Sequence, residues 1–161
     1  MSISNGATLP TETLMRVDAA GEAPVTLAGL SAGKRIVVFA VPGAFTPTCD
    51  SSHLPSFIRT MPGFAAKGID TVACLSVNDI HVMRAWGKAS GAYDAGIVML
   101  SDPSGAFTAA AGLSFDVPQV GLIGRSKRYA MVVEDGVVTF WAPEPDRGCA
   151  ISGGEALLEA V

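Results

Sequence analysis

The feature that most constrains the fold of this sequence is a continuous apolar run at residues 35–41, RIVVFAV. After its first residue the run consists of β-branched, aromatic and alanine side chains, without the alternation of a strand that has one face in water. Such a run is typical of a strand buried on both faces at the centre of an α/β sheet. It ends abruptly at Pro42 and Gly43, so we expect the chain to leave the sheet there.

The next segments alternate between helical and extended patterns. Residues 49–61 carry apolar side chains at helical spacing, and we expect Pro55 to kink this helix. Residues 71–77 and 97–100 are predicted strands, with a further helix between them. This order of strands and helices predicts a parallel sheet covered by helices.

The last third of the chain has a different pattern. Residues 129–133 and 137–141 are two β runs that flank Glu134-Asp135-Gly136, and an Asp-Gly pair in that position predicts an antiparallel hairpin. Ser152 and Glu155 have the spacing of a capping box before a closing apolar helix.

These patterns predict an α/β fold of the thioredoxin-like kind, although periodicity alone leaves several α/β folds open. Its mixed sheet would be flanked by helices and completed by a C-terminal β-hairpin and a closing helix. The length suits one domain over residues 1–161. With 49% hydrophobic and 16% charged residues, the composition excludes a disordered chain.

Charge and hydropathy exclude two further classes of protein. Eleven basic against fifteen acidic side chains give a net charge of −4, which is not the basic footprint of a nucleic-acid binder. The longest strongly apolar stretch, residues 36–41, is far shorter than the ~20 residues that span a membrane, and the N-terminus lacks a secretory pattern. We therefore expect a cytoplasmic protein with no nucleic-acid or membrane partner.

Residues 42–49, PGAFTPTC, form the most informative segment. They follow the carboxyl end of the predicted central strand, where open α/β sheets place their sites, and they deliver Cys49 to the first turn of a helix. Free N–H groups and the helix dipole stabilise a thiolate there, so Cys49 is a candidate nucleophile. The Thr46 hydroxyl could hold a small polar substrate. The alternative is that Cys49 is an ordinary buried thiol.

The same segment, followed by Ser52-His53-Leu54-Pro55 and then Phe57, resembles the active-site signature of the peroxiredoxins. More narrowly, the segment resembles the type II group, which includes mammalian peroxiredoxin five and the plant type II enzymes. Further matches cover most of the chain: residues 76–79, Met83, residues 85–87, 101–103 and 125–130. The resemblance implies a thiol-dependent peroxidase that reduces hydrogen peroxide and small organic hydroperoxides without metal, haem or flavin.

The resemblance also assigns roles to individual residues. Cys49 matches the peroxidatic cysteine, which attacks a hydroperoxide and becomes a sulfenic acid. Thr46 matches the threonine that contacts the peroxide, and Pro42 matches the proline that shields the sulfur from water. Arg125 matches the arginine that stabilises the thiolate and polarises the peroxide. Without the resemblance, Arg125 reads as part of a solvated basic turn.

His53 lies four residues after Cys49, close enough on a helix for the pair to bind a metal or act as nucleophile and base. A lone Cys/His pair lacks the ligand count of a zinc site, so we expect no metal. The resemblance places the matching histidine beside the active site without making it the essential base.

A sulfenic acid must be reduced by a second cysteine or by an external thiol. Cys149 lies in a loop before the closing helix, where the mammalian relative has its resolving cysteine, although the loop here is shorter. Cys74 lies inside a predicted strand and reads as a buried core residue, although plant type II members carry a second cysteine at this separation. Glutathione, glutaredoxin or thioredoxin remain open as external reductants.

Two other functions remain open on the sequence. The chain could be a peroxide sensor or thiol-disulfide relay in which Cys49 passes its oxidation to a partner, or a binding module with inert thiols. By analogy with the family, we expect a homodimer formed through the active-site face.

Overall fold

The computed structural model describes residues 3–146 and 148–161. The strands are β1 (Leu14–Asp18), β2 (Gly21–Val25), β3 (Arg35–Ala40), β4 (Thr71–Ser76), β5 (Val98–Ser101), β6 (Ser114–Val117), β7 (Leu122–Ser126), β8 (Tyr129–Glu134) and β9 (Val137–Pro143). The α-helices are α1 (Leu27–Leu30), α2 (Leu54–Ala66), α3 (Ile80–Ser90), α4 (Ala92–Ala95), α5 (Ala106–Ala110) and α6 (Gly154–Ala160). Cys49–His53 forms a π-helical turn before α2, and Pro118–Val120 forms a 3-10 turn.

The main sheet has seven strands in the order β2-β1-β5-β4-β3-β8-β9, and β6 and β7 form a separate pair. The three central strands β3, β4 and β5 run parallel, while β1, β2, β8 and β9 pair antiparallel at the two sides. The mixed sheet with helices on its faces confirms the predicted thioredoxin-like architecture. The apolar run at residues 35–41 supplies the central strand β3.

Alternate side chains of β3 point into two separate cores, which explains why the run is apolar at every position. Val37 and Phe39 face α2 and α3, where the Phe39 ring stacks on Phe57 with centroids 3.9 Å apart. Ile36 and Val38 face the opposite layer. All four β3 side chains are fully buried. Within the described part of the chain, no helix is long and apolar enough to cross a membrane.

The hairpin of β8 and β9 confirms the Asp-Gly prediction. Asp135 has φ +48° and Gly136 has φ +82°. Two successive residues with positive φ make the turn whose twist matches that of the paired strands, and Asp-Gly is a preferred pair for it.

One local prediction was wrong and another stays a prediction. Pro55 is the second residue of α2, which continues directly from the π-helical turn, and the kink expected at Pro55 stays a prediction. Ser152 does not cap α6: the N-cap is Gly153 and makes no side-chain cap hydrogen bond, while the Ser152 hydroxyl donates to the Glu144 carboxylate instead. The tertiary contact competes successfully with the local one.

Candidate active site

The loop at residues 42–48 joins β3 to the π-helical turn and is tied to the neighbouring strand β4. The side-chain oxygen of Asn78 accepts hydrogen bonds from the Ala44 N–H at 3.0 Å and from the Ser76 hydroxyl at 2.6 Å. Phe45 adopts φ +63° in this loop, a conformation uncommon for a residue other than glycine. These contacts hold the loop in one position in front of Cys49.

Thr46 is oriented by three hydrogen bonds. Its hydroxyl donates to the Gly43 carbonyl at 2.7 Å, its N–H donates to the same carbonyl at 3.4 Å, and its own carbonyl accepts from the Asp50 N–H at 2.8 Å. Because the single hydroxyl hydrogen is used in this way, the lone pairs of the Thr46 oxygen remain available as acceptors. Pro42, which begins the loop, is partly buried.

Cys49 is the first residue of the π-helical turn and is fully buried. Its Sγ accepts a hydrogen bond from Nη2 of Arg128 at 3.1 Å. A cationic N–H donor at this distance is complementary to a thiolate, the nucleophilic form of cysteine. The turn is closed by the Leu54 N–H, which donates to the Cys49 carbonyl, and single π-turns of this kind are frequent at functional sites.

The guanidinium that contacts Cys49 belongs to Arg128 and not to Arg125, to which the sequence analysis gave this role. Arg125 lies in β7 of the small sheet, and its Nη1 lies 3.2 Å from where a Cβ would stand on Gly43. Arg128 directly precedes β8, whose Tyr129 pairs with Ala40 at the end of β3. Strand pairing therefore brings residue 128 to the point where the chain turns towards Cys49.

His53 holds the other side of the same guanidinium. Its Nδ1 lies 2.8 Å from Arg128 Nη1, and its Nε2 lies 2.8 Å from the Ser152 carbonyl oxygen. Burial, followed by the nearby charge of Arg128, lowers the pKa of His53 to about 4. His53 is therefore neutral at pH 7, with Nδ1 accepting from Arg128 and Nε2–H donating to Ser152.

All three cysteines are free thiols in this structure. Cys74 is fully buried in β4, opposite Phe39, and burial, followed by the nearby Cys49, raises its pKa well above the ordinary value. Cys149 is partly buried and lines an open cleft of about 290 Å³. Ser51 and Ser52, two and three residues after Cys49, line the same cleft. Burial also raises the pKa of Cys149.

Two residues around the site, Arg128 and Glu144, were not found by sequence reasoning. For Arg128, the sequence showed only its place directly before the predicted strand at residues 129–133, and the pairing of that strand with β3 became known from the structure. No sequence signal pointed to Glu144, which follows β9 and reaches the Cys149 loop. Across residues 3–146 and 148–161, no group of three or more His, Cys, Asp or Glu side chains is placed to hold a metal ion.

The fold and the buried thiol beside a guanidinium define a cysteine-dependent redox enzyme. The Redoxin family model matches residues 4–158. Peroxiredoxin-2E-2, chloroplastic, from Oryza sativa is 45% identical over 99% of this chain and 73% of its own length. Peroxiredoxin-2E, chloroplastic, from Arabidopsis thaliana is 44% identical over 99% of this chain and 70% of its own length. The reduced Prx3 of Vibrio vulnificus in complex with hydrogen peroxide superposes with a TM-score of 0.90 at 44% identity, covering 98% of each chain.

The chain belongs to the Redoxin family as a peroxiredoxin, and it is a thiol-dependent peroxidase. The comparisons correct one expectation from the sequence. We predicted a cytoplasmic location, whereas the rice and Arabidopsis relatives are named as chloroplastic proteins. Location is read by receptors from address segments, so the charge and hydropathy of a folded domain carry no information about it.

Proposed function

We propose that Cys49 is the peroxidatic residue and reduces hydrogen peroxide and small organic hydroperoxides through a sulfenic acid. The observation that carries the proposal is the 3.1 Å contact between Arg128 Nη2 and the buried Cys49 Sγ at the start of a helical turn. A relative at 44% identity was crystallised in its reduced form with hydrogen peroxide.

The reaction transfers one oxygen atom to sulfur. The Cys49 thiolate forms a bond to the terminal oxygen of the hydroperoxide, and the O–O bond breaks so that its electron pair leaves with the other oxygen. That oxygen takes up a proton and departs as water or an alcohol, while the sulfur has lost two electrons. Negative charge builds on the departing oxygen, and the Arg128 guanidinium is the cation placed to stabilise it.

Thr46 and Pro42 complete the proposed site. The Thr46 oxygen, whose own hydrogen is donated to Gly43, accepts a hydrogen bond from the hydroperoxide O–H. Pro42 has no N–H and forms a partly buried wall of the loop that limits the access of water to the sulfur. Arg125, beside Gly43 at the edge of this loop, has a supporting role at most.

Cys149 is the proposed resolving residue. It lines the same cleft as the residues that follow Cys49, so opening of the π-helical turn would bring the two sulfurs together. The Cys149 thiolate would attack the sulfenic sulfur, forming a disulfide and releasing water after protonation of the leaving hydroxide. An external thiol, either glutathione with glutaredoxin or thioredoxin, then supplies two electrons. Mapping the disulfide after one equivalent of peroxide should detect a Cys49–Cys149 link.

The homodimer remains a prediction. Three large exposed hydrophobic side chains lie in the active-site loop or in the β6–β7 segment packed against it: Phe45 at 52%, Val120 at 70% and Ile123 at 60% exposure. These side chains form the apolar surface through which we expect the active-site faces of two copies of the chain to pair.

The test of the proposed function compares single variants in a peroxide-consumption assay with dithiothreitol as reductant. Cys49→Ser should lose all activity, and Arg128→Ala should lose about 100-fold, the usual cost of removing one transition-state donor. The matched variant Arg125→Ala should lose less than about threefold, because this guanidinium is not hydrogen-bonded to the sulfur. Turnover by folded Cys49→Ser, or an equal loss in the two arginine variants, would overturn the assignment.

A further inference from the structure

Glu144 holds the segment that follows Cys149. One carboxylate oxygen accepts the Ala150 N–H at 3.1 Å. The other accepts the Ile151 N–H at 3.2 Å, the Ser152 N–H at 3.1 Å and the Ser152 hydroxyl at 2.8 Å. Partial burial alone would raise the pKa of Glu144, but these hydrogen bonds outweigh it and lower the pKa from its ordinary value. The side chain therefore binds the loop as a carboxylate.

The backbone of Glu144 is bonded to the active-site arginine. Its N–H donates to the Arg128 carbonyl at 3.0 Å, which continues the β8–β9 ladder by one pair. The Arg128 side chain contacts His53, and His53 donates to the carbonyl of Ser152, which Glu144 holds. The four residues form a closed ring of hydrogen bonds, here called the Glu144 ring, and Cys49 is attached to it through Arg128.

We propose that Glu144 is a positioning residue that couples the Cys149 segment to Cys49. With the Glu144 ring closed, Ser152 fixes the His53 imidazole, and His53 fixes the Arg128 guanidinium on the Cys49 sulfur. If Glu144 no longer holds Ser152, the segment that follows Cys149 is released, and His53 loses the fixed acceptor of its Nε2–H while it still contacts Arg128. This inference rests on the proposed roles of Cys49 and Cys149.

Opening the Glu144 ring frees both the segment that follows Cys149 and the His53 imidazole that contacts Arg128, so we expect the reactivity of both thiols to change. Release of the segment should slow oxidation of Cys49 and accelerate alkylation of Cys149. General loosening of the fold would act differently, because Cys49 is fully buried and Cys149 partly buried. Loosening would accelerate alkylation of both thiols. Slower oxidation of Cys49 together with faster alkylation of Cys149 alone therefore distinguishes a positioning role from a merely structural one.

The experiment measures two rates in the reduced full-length chain by rapid quench and mass mapping. One is oxidation of Cys49 by hydrogen peroxide, and the other is alkylation of each cysteine by iodoacetamide. In Glu144→Ala we expect Cys49 oxidation to fall about tenfold and Cys149 alkylation to rise about tenfold, within the usual range of coupling between sites. Glu159→Ala, which removes an exposed carboxylate of α6, should leave both rates unchanged.

The Glu144→Gln variant distinguishes the effect of the carboxylate charge on the two rates from the effect of its hydrogen bonds. The carboxylate charge raises the pKa of Cys149, so its loss alone favours the reactive thiolate and contributes equally in the Gln and Ala variants. Glutamine keeps one acceptor oxygen for the loop, so its two rates should lie between those of the wild type and Glu144→Ala. Equal Cys149 rates in Glu144→Gln and Glu144→Ala would mean that charge alone explains the effect, and would overturn the proposal.

A second variant opens the ring without touching Glu144. His53→Leu removes the contacts to Arg128 and Ser152 but no contact of Cys149 itself, and it should raise Cys149 alkylation several-fold. An unchanged Cys149 rate, or faster alkylation of both thiols in the Glu144 variants, contradicts the coupling. Slow oxidation of Cys49 in the wild type would instead contradict the proposed function, so the two failures are distinguishable.

Discussion

Protonation of His53 should make the stability of this protein depend on pH above the range in which carboxylates titrate. In the folded chain the His53 imidazole is fully buried and its Nδ1 accepts a hydrogen bond from Arg128. Its pKa is lowered from 6.5 to about 4. In the unfolded chain the ordinary value of 6.5 applies. As pH falls, the unfolded state therefore takes up the proton first, and the contribution of His53 to stability is lost between pH 6.5 and 4.

The magnitude follows from the two pKa values. A difference of 2.5 units between the folded and unfolded pKa values corresponds to a full loss of about 3 kcal/mol, at 1.36 kcal/mol per unit. Between pH 7 and pH 5 the expected loss is about 2 kcal/mol, because the unfolded imidazole is already largely protonated at pH 5 while the folded one is not. The range from pH 5 to pH 7 lies above the ordinary glutamate pKa of 4.5, and the pKa values of Glu144 and Glu155 are lower than that ordinary value.

Urea unfolding at pH 7, 6 and 5 measures this loss, with His53→Gln as the variant that removes the titration. The free energy of unfolding of the wild type should fall by about 2 kcal/mol more than that of His53→Gln over this range. His81→Gln is the matched control, because His81 is exposed and should leave the wild-type dependence intact. A difference below about 0.5 kcal/mol between wild type and His53→Gln would refute the reasoning, since a neutral buried ring must resist protonation.

Two further predictions concern buried positions. Cys74→Ala should keep peroxidase activity within about twofold in the dithiothreitol assay, because Cys74 is a fully buried core thiol. A loss as large as that of Cys49→Ser would show that Cys74 takes part in turnover. Gly154→Ala should lower the free energy of unfolding by about 1–3 kcal/mol, because its Cβ would overlap the Ser56 carbonyl oxygen. Gly63→Ala, whose Cβ meets only the end of a flexible leucine side chain, should cost less in the same urea titration.

Features of the fold that depend on neighbouring residues were predicted correctly, whereas features that depend on contacts between distant residues were not. The run at residues 35–41 and the Asp-Gly hairpin were predicted because burial pattern and turn chemistry are local properties. Strands β1, β2, β6 and β7 were missed, since their short runs are half-exposed and lack a strong apolar pattern. The capping box at Ser152 failed because a carboxylate eight residues away in sequence binds its hydroxyl.

By itself, the sequence determined the central strand, the loop that leaves it, and a cysteine at the start of the following helical turn. Only the tertiary structure decided which arginine meets that cysteine, because Arg128 is brought to the sulfur by the pairing of β8 with β3, which joins segments almost ninety residues apart in the chain. It also decided that His53 is neutral and that Glu144 holds the Cys149 segment. Burial and hydrogen bonds between distant segments exist only once the chain has folded, whereas strand patterns and turn residues act on their immediate neighbours.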